Sequence, residues 1–116
     1  MTTRDDTLRL MAIVDEVRKL WDGMPVSVVA LFLAIAEADA AHERLGITEA
    51  GERCGMTLAS ASRNILLLAH KRADRGHPPL EVVAIKPFPG DFRRKMVVLT
   101  PKGRLVFERL CKLVRP

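Results

Sequence analysis

The chain has 116 residues, 48% of them hydrophobic and 4% aromatic, with one Trp and no Tyr. That excludes a disordered tail and suits one domain (residues 1–116) whose core is built from Leu, Val, Ile, Ala and Met without help from metal or disulfides. The formal charge of +5 is uneven, because residues 1–69 carry seven Lys/Arg against ten Asp/Glu and residues 70–116 carry twelve against four.

In chain order, Met1–Asp6 is polar and leads into no apolar leader segment, so a cytoplasmic protein is expected. A first helix is predicted from about Thr7 to Trp21. Leu10, Ile13, Val14, Val17, Leu20 and Trp21 form its apolar stripe, and Asp5 and Asp6 sit where the helix dipole favours negative charge. Asp22-Gly23 stops it, and Pro25 fits the first position of a second helix running to about Asp39. The apolar run Val26–Ala36 has 11 residues, against about 20 for a membrane span, so it reads as a central core helix and no membrane partner is expected.

Two short helices follow. The first spans about Thr48 to Cys54 with Thr48 as its cap, and the second begins after Thr57 and runs to about Ala73, where Gly76, Pro78 and Pro79 break the pattern. Between them Gly51 is small enough for close helix contact and Gly55 tolerates a positive φ, while Ala50, Cys54, Met56, Ala61 and Ile65 supply buried faces. That is the steric pattern of a helix-turn-helix, placed at about residues 46–73. Ala59, Ser60, Ser62, Arg63 and Asn64 are the expected exposed residues of the second helix. Arg63 suits a guanine edge, Asn64 an adenine edge, and the serines either bases or phosphates, although a solvated polar face would use the same residues. Leu66 and Leu67 make the apolar stretch Ile65–Leu68 wider than one stripe, so one of them is expected to pack on the hairpin, the first helix or a partner chain.

Leu80–Ile85 and Lys95–Leu99 read as two strands, joined by turn chemistry at Pro87-Phe88-Pro89-Gly90-Asp91. This hairpin, a wing over about residues 80–100, carries Arg93, Arg94 and Lys95 near its tip. Such a tip suits the phosphates flanking a groove, or an arginine inserted into a minor groove, with Asp91 paired to Arg93 to aim it. Thr100-Pro101 caps a last helix through about Leu113, whose expected buried face is Leu105, Val106, Leu110 and Leu113. Cys54 and Cys111 lie on apolar faces and read as reduced core cysteines. The fold class is therefore mainly α with a small β-hairpin, a winged helix-turn-helix ordered helix, helix, helix, turn, helix, hairpin, helix.

No metal site is expected from His42, His70 and His77, and no phosphate loop, nucleophile elbow or carboxylate pair points to catalysis or to a cofactor. From about Gly46 to Leu110 the chain resembles the MarR family of bacterial regulators. The resemblance rests on Ser60-Ala61-Ser62-Arg63 with Ile65 and Leu68, then on Asp91-x-Arg93, three residues, Val97-x-Leu99-Thr100, two residues and Gly103. It implies that Ser60, Ser62 and Arg63 are recognition-helix contacts and that Arg93 enters the minor groove. The chain departs from the family at His70–Pro79, a longer basic stretch in place of a short junction. The expected function is sequence-specific binding of double-stranded DNA as a homodimeric regulator. Lys71, Arg72, Arg94 and Lys95 would contact phosphates; Ser60, Ser62, Arg63, Asn64 and Arg93 would contact bases or grooves. If the chain dimerises, the Leu10–Trp21 stripe and the Leu105–Leu113 face are the expected surfaces, although packing within one chain is the favoured reading of each stripe. The alternative is a winged-helix adaptor for protein interaction, replication or plasmid maintenance. A small-molecule effector stays unassigned.

Overall fold

Five helices and a three-stranded antiparallel sheet in the order β1-β3-β2 make up residues 3–70 and 78–115, the part described by this computed structural model. Helix α1 (Arg4–Leu20) begins three residues before the expected start, because Thr3 and Asp6 form a reciprocal capping box. Helix α2 (Val26–Ala40) is the central helix, with Val28, Leu31, Phe32, Ile35, Ala36 and Ala38 buried. Pro25 is its cap, not its first helical residue: at ψ 142° its backbone is extended, and its carbonyl accepts the N–H groups of Val28 and Val29.

Strand β1 (Leu45–Gly46) was not expected; it is two residues long and pairs Leu45 with Val97 and Gly46 with Met96. It leads directly into α3 (Ile47–Arg53), so Gly46 takes the cap position expected of Thr48, without a side-chain bond. Helix α4 (Leu58–Ala69) is capped by Thr57 as expected and closes at His70. The expected continuation to Ala73, including Lys71 and Arg72, lies outside the described residues.

The first strand of the hairpin sits three residues later than expected, and the second starts four residues earlier, at Asp91. Strand β2 is Val83–Phe88 and β3 is Asp91–Leu99, leaving only Pro89-Gly90 as the connection. Gly90 at φ +81° after a proline is the residue order a type II turn uses. Leu80 and Val82 are buried without pairing in the sheet. The segment is instead tied down by main-chain bonds from Glu81 N–H to His70 O and from Val82 N–H to Leu68 O. Helix α5 (Pro101–Val114) opens on Thr100 and Pro101 as expected, but its buried residues are Gly103, Val106 and Leu110, with Leu105 57% exposed. Leu105 therefore lies off the face expected of it.

One hydrophobic cluster joins α2, α4, the sheet and α5, with Ile65, Leu68, Leu80, Val82, Val83, Val97 and Leu99 at its centre. Of the leucines in question, Leu67 packs against this cluster and Leu66 stays 51% exposed. Helix α1 stands apart. It packs through Ile13, Val17 and Leu20 yet contains no buried residue.

Candidate nucleic-acid interface

The sharp turn between α3 and α4 depends on two glycines. A Cβ on Gly51 would stand 2.7 Å from the Cβ of Ala61, so only a bare backbone lets the helices cross this closely. Gly55 turns the chain at φ +68°, and Met56 N–H then donates to Gly51 O at 2.9 Å. Thr57 Oγ1 accepts the Ser60 N–H at 3.1 Å and starts α4. Arg53 ties the unit to α2 and its C-terminal end through Glu43 and, at 3.4 Å, Glu37. The hydrogen bond to Glu43 holds the Arg53 guanidinium above its ordinary value, and burial pushes the Cys54 thiol up.

Periodicity then decides what α4 presents. Ala61, Ile65 and Leu68 face the core, which puts Ala59, Arg63 and Leu66 along the outer edge. Ser60 and Ser62 are half-buried on the flanks. Asn64, expected among the exposed residues, is half-buried, and its Nδ2 lies 3.6 Å from Met56 Sδ. The amide is held toward the turn, out of line with Arg63. Of the polar residues expected on this face, Arg63 is the one that projects fully.

On the wing, Arg93, Arg94 and Lys95 are all exposed, but they are not equivalent. Asp91 Oδ1 accepts the main-chain N–H of Arg93 at 3.1 Å, in place of the expected Asp91–Arg93 ion pair. That bond shapes the strand start and leaves the Arg93 side chain without an ion-pair partner among the described residues. Arg94 is engaged: its Nη2 is 2.6 Å from Glu49 Oε1, and its Cζ stands 4.2 Å above the Phe88 ring centroid.

These pieces meet in one groove of about 460 Å³, lined by Gly46, Ile47, Thr48, Glu49, Leu58, Ser62 and Arg93–Lys95. Helices α3 and α4 and the wing thus border a shared concave surface that includes Ser62 and the wing arginines. Glu49 and Phe88 were missed in the sequence. Phe88 reads there as part of a turn, and Glu49 meets Arg94 across 45 residues of chain, beyond any local spacing rule. Among the described residues no three His, Cys, Asp or Glu side chains form a metal-binding group, and no helix is long and apolar enough to cross a membrane.

No family model matches the chain, and no curated protein matches it. Solved structures do. The PcaV transcriptional regulator from Streptomyces coelicolor, solved with its natural ligand, superposes with a TM-score of 0.54 at 20% identity over 97% of this chain and 73% of that one. A mutant of MepR from S. aureus gives a TM-score of 0.57 at 16% identity, covering 98% of this chain and 78% of that one. Bordetella bronchiseptica BpsR, whose DNA binding is regulated by 6-hydroxynicotinic acid, gives 0.52 at 17% identity over 93% and 74%. The fold of this chain is the winged helix-turn-helix fold that it shares with these structures.

Proposed function

We propose that the chain is a transcriptional regulator that binds double-stranded DNA as a homodimer, with α4 in the major groove and the wing over the adjacent minor groove. The observation that carries this reading is the pair Arg63 and Arg93. Both are exposed, neither has an ion-pair partner among the described residues, and they stand on the helix and the ribbon that border one groove. In this geometry Arg63 forks onto a base edge, Arg93 enters the minor groove, and Ser60 and Ser62 contact backbone or bases from the flanks. Lys71, Arg72 and Lys95 neutralise phosphates. The likeness to PcaV, a transcriptional regulator, and to BpsR, a DNA-binding protein, supports the same reading.

The exposed face of α1 supports the dimer. Leu8, Leu10, Met11 and Val14 are between 49% and 63% exposed on a helix that buries nothing, and Leu105 and Val114 on α5 are similarly bare. A second copy of the chain covers this surface and sets two recognition helices on a two-fold axis, matching a pseudo-palindromic site. Selection of duplexes from a random library by the purified protein, together with its mass in solution, tests both parts. A recovered palindrome and a dimeric mass are expected; a monomer that enriches no sequence would favour the adaptor reading.

A further inference from the structure

We propose that Arg94 is a positioning residue of the wing, clamped by Glu49 and Phe88, and not one of its phosphate contacts. The inference rests on the DNA-binding reading above and assigns opposite roles to neighbouring cations. Strand β3 runs beyond the end of β1 alongside the first turn of α3, which brings Arg94 next to Glu49. Arg93, Arg94 and Lys95 all border the groove, and among the described residues Arg94 is the one of the three with an ion-pair partner.

Three observations converge on the clamp. The guanidinium makes a 2.6 Å contact with Glu49 Oε1 and lies 4.2 Å over the Phe88 ring, so two elements hold it at once. A Cβ at Gly46 would collide with Glu49 Oε2, so the missing side chain at the β1–α3 junction is what lets the carboxylate fold back into place. Finally, the hairpin register shifts at Pro87/Phe88, the point at which Phe88 comes under Arg94. An exposed ion pair alone holds little. Joined to the ring and the strand register, it fixes the angle of the wing against the helix-turn-helix, and with it the reach of Arg93.

Because both partners remain about half exposed, a phosphate would be able to compete for Arg94, and the two roles make opposite predictions. If Arg94 were a phosphate contact, removing the nearby carboxylate would tighten DNA binding. If Arg94 is a clamp, E49Q weakens binding by about fivefold, the scale of one exposed ion pair with a cation–π contact. G46A, whose methyl displaces the same carboxylate, does likewise.

The test uses the full-length protein and the best duplex recovered from a random library, titrated at several salt concentrations, with melting curves to verify folding. R94A and E49Q are expected to leave the slope of log affinity on log salt unchanged, while K95A flattens it by about 0.9 for each phosphate that Lys95 neutralises. Tighter binding by E49Q, or a flattened slope in R94A, overturns the proposal. A second readout needs no DNA: the Arg94 Nε–H in nitrogen-15 relaxation is expected to be more ordered than that of Arg93, and to become as mobile as Arg93 in E49Q and G46A. Equal mobility of the two arginines in the wild type also overturns it. Should the wild type bind no duplex, the DNA reading falls, and this second readout still decides the clamp.

Discussion

Gly51 is where one methyl group is expected to do the most damage to the helix-turn-helix. At 2.7 Å from the Ala61 Cβ, an added Cβ has no flexible side-chain end to push aside, since the obstacle is itself anchored to the α4 backbone. G51A is expected to cost about 1–3 kcal/mol by overpacking, seen as a lower urea midpoint with an unchanged slope. G51A paired with A61G is expected to recover most of that stability, because the second change removes the atom met by the first. Gly55 demands glycine for a different reason, its φ of +68°, and open space lies around it. Both glycines were legible in the sequence, because close helix crossing and a positive-φ turn leave few residue choices. Asn64 was not. Its place on the helix suits exposure, and only the thioether of Met56, eight residues back, draws it inward.

At the scale of elements, the caps of α4 and α5 were readable, those of α1, α2 and α3 were not, and strand boundaries were read least well. Thr57 and Thr100 each start a helix by accepting an N–H three residues on, a local arrangement that sequence spacing reveals directly. Thr100 does more: its hydroxyl also donates to Glu81 O at 2.7 Å, joining α5 to the strand entry where Glu81 sits at φ +52°. T100A is therefore expected to cost about 1–2 kcal/mol, at the upper end for a cap, and T100S markedly less, both read by thermal or chemical unfolding. The first strand of the hairpin was misplaced by about three residues because burial and pairing parted company. Leu80 and Val82 are as buried as any strand residue, yet their burial comes from core packing, and Glu81 between them, at φ +52°, keeps the segment out of the strand ladder. Pro87 looked like a strand terminator. It is tolerated within β2 because β2 lies at the edge of the sheet, where one side of the strand needs no donor. The two-residue β1 has no periodicity to detect; it exists because β3 offers it an edge.

At the scale of the whole molecule, the proposed dimer would give the uneven charge and the bare face of α1 separate places. In the proposed dimer the bare helix lies at the two-fold axis and the basic wing away from it. Leu10 is 63% exposed, so L10K disturbs little within one chain. It is expected to raise the dimer dissociation constant at least tenfold, about 1.4 kcal/mol, in sedimentation equilibrium, with the melting behaviour of the monomer retained. A wild type that is monomeric at high concentration would contradict the two-fold arrangement. The site itself was half legible: the wing pattern Asp91-x-Arg93 and the exposed Arg63 are local, whereas the groove that unites Arg93 with Glu49 and Ser62 exists only once β3 lies beside α3.

The most direct test of DNA recognition by Arg63 and Arg93 is the affinity of wild type and the R63A/R93A variant for the selected duplex, measured across a salt series with melting curves run in parallel. With Lys71, Arg72 and Lys95 contacting phosphates in each of two subunits, the wild-type slope of log affinity on log salt is expected to be about −5. The double variant is expected to fold normally and to bind the selected duplex at least about 100-fold more weakly, the scale of base-edge and minor-groove recognition by two arginines, while keeping most of its weaker binding to unrelated duplex. Wild-type affinity for the selected duplex in a folded R63A/R93A protein would contradict the account.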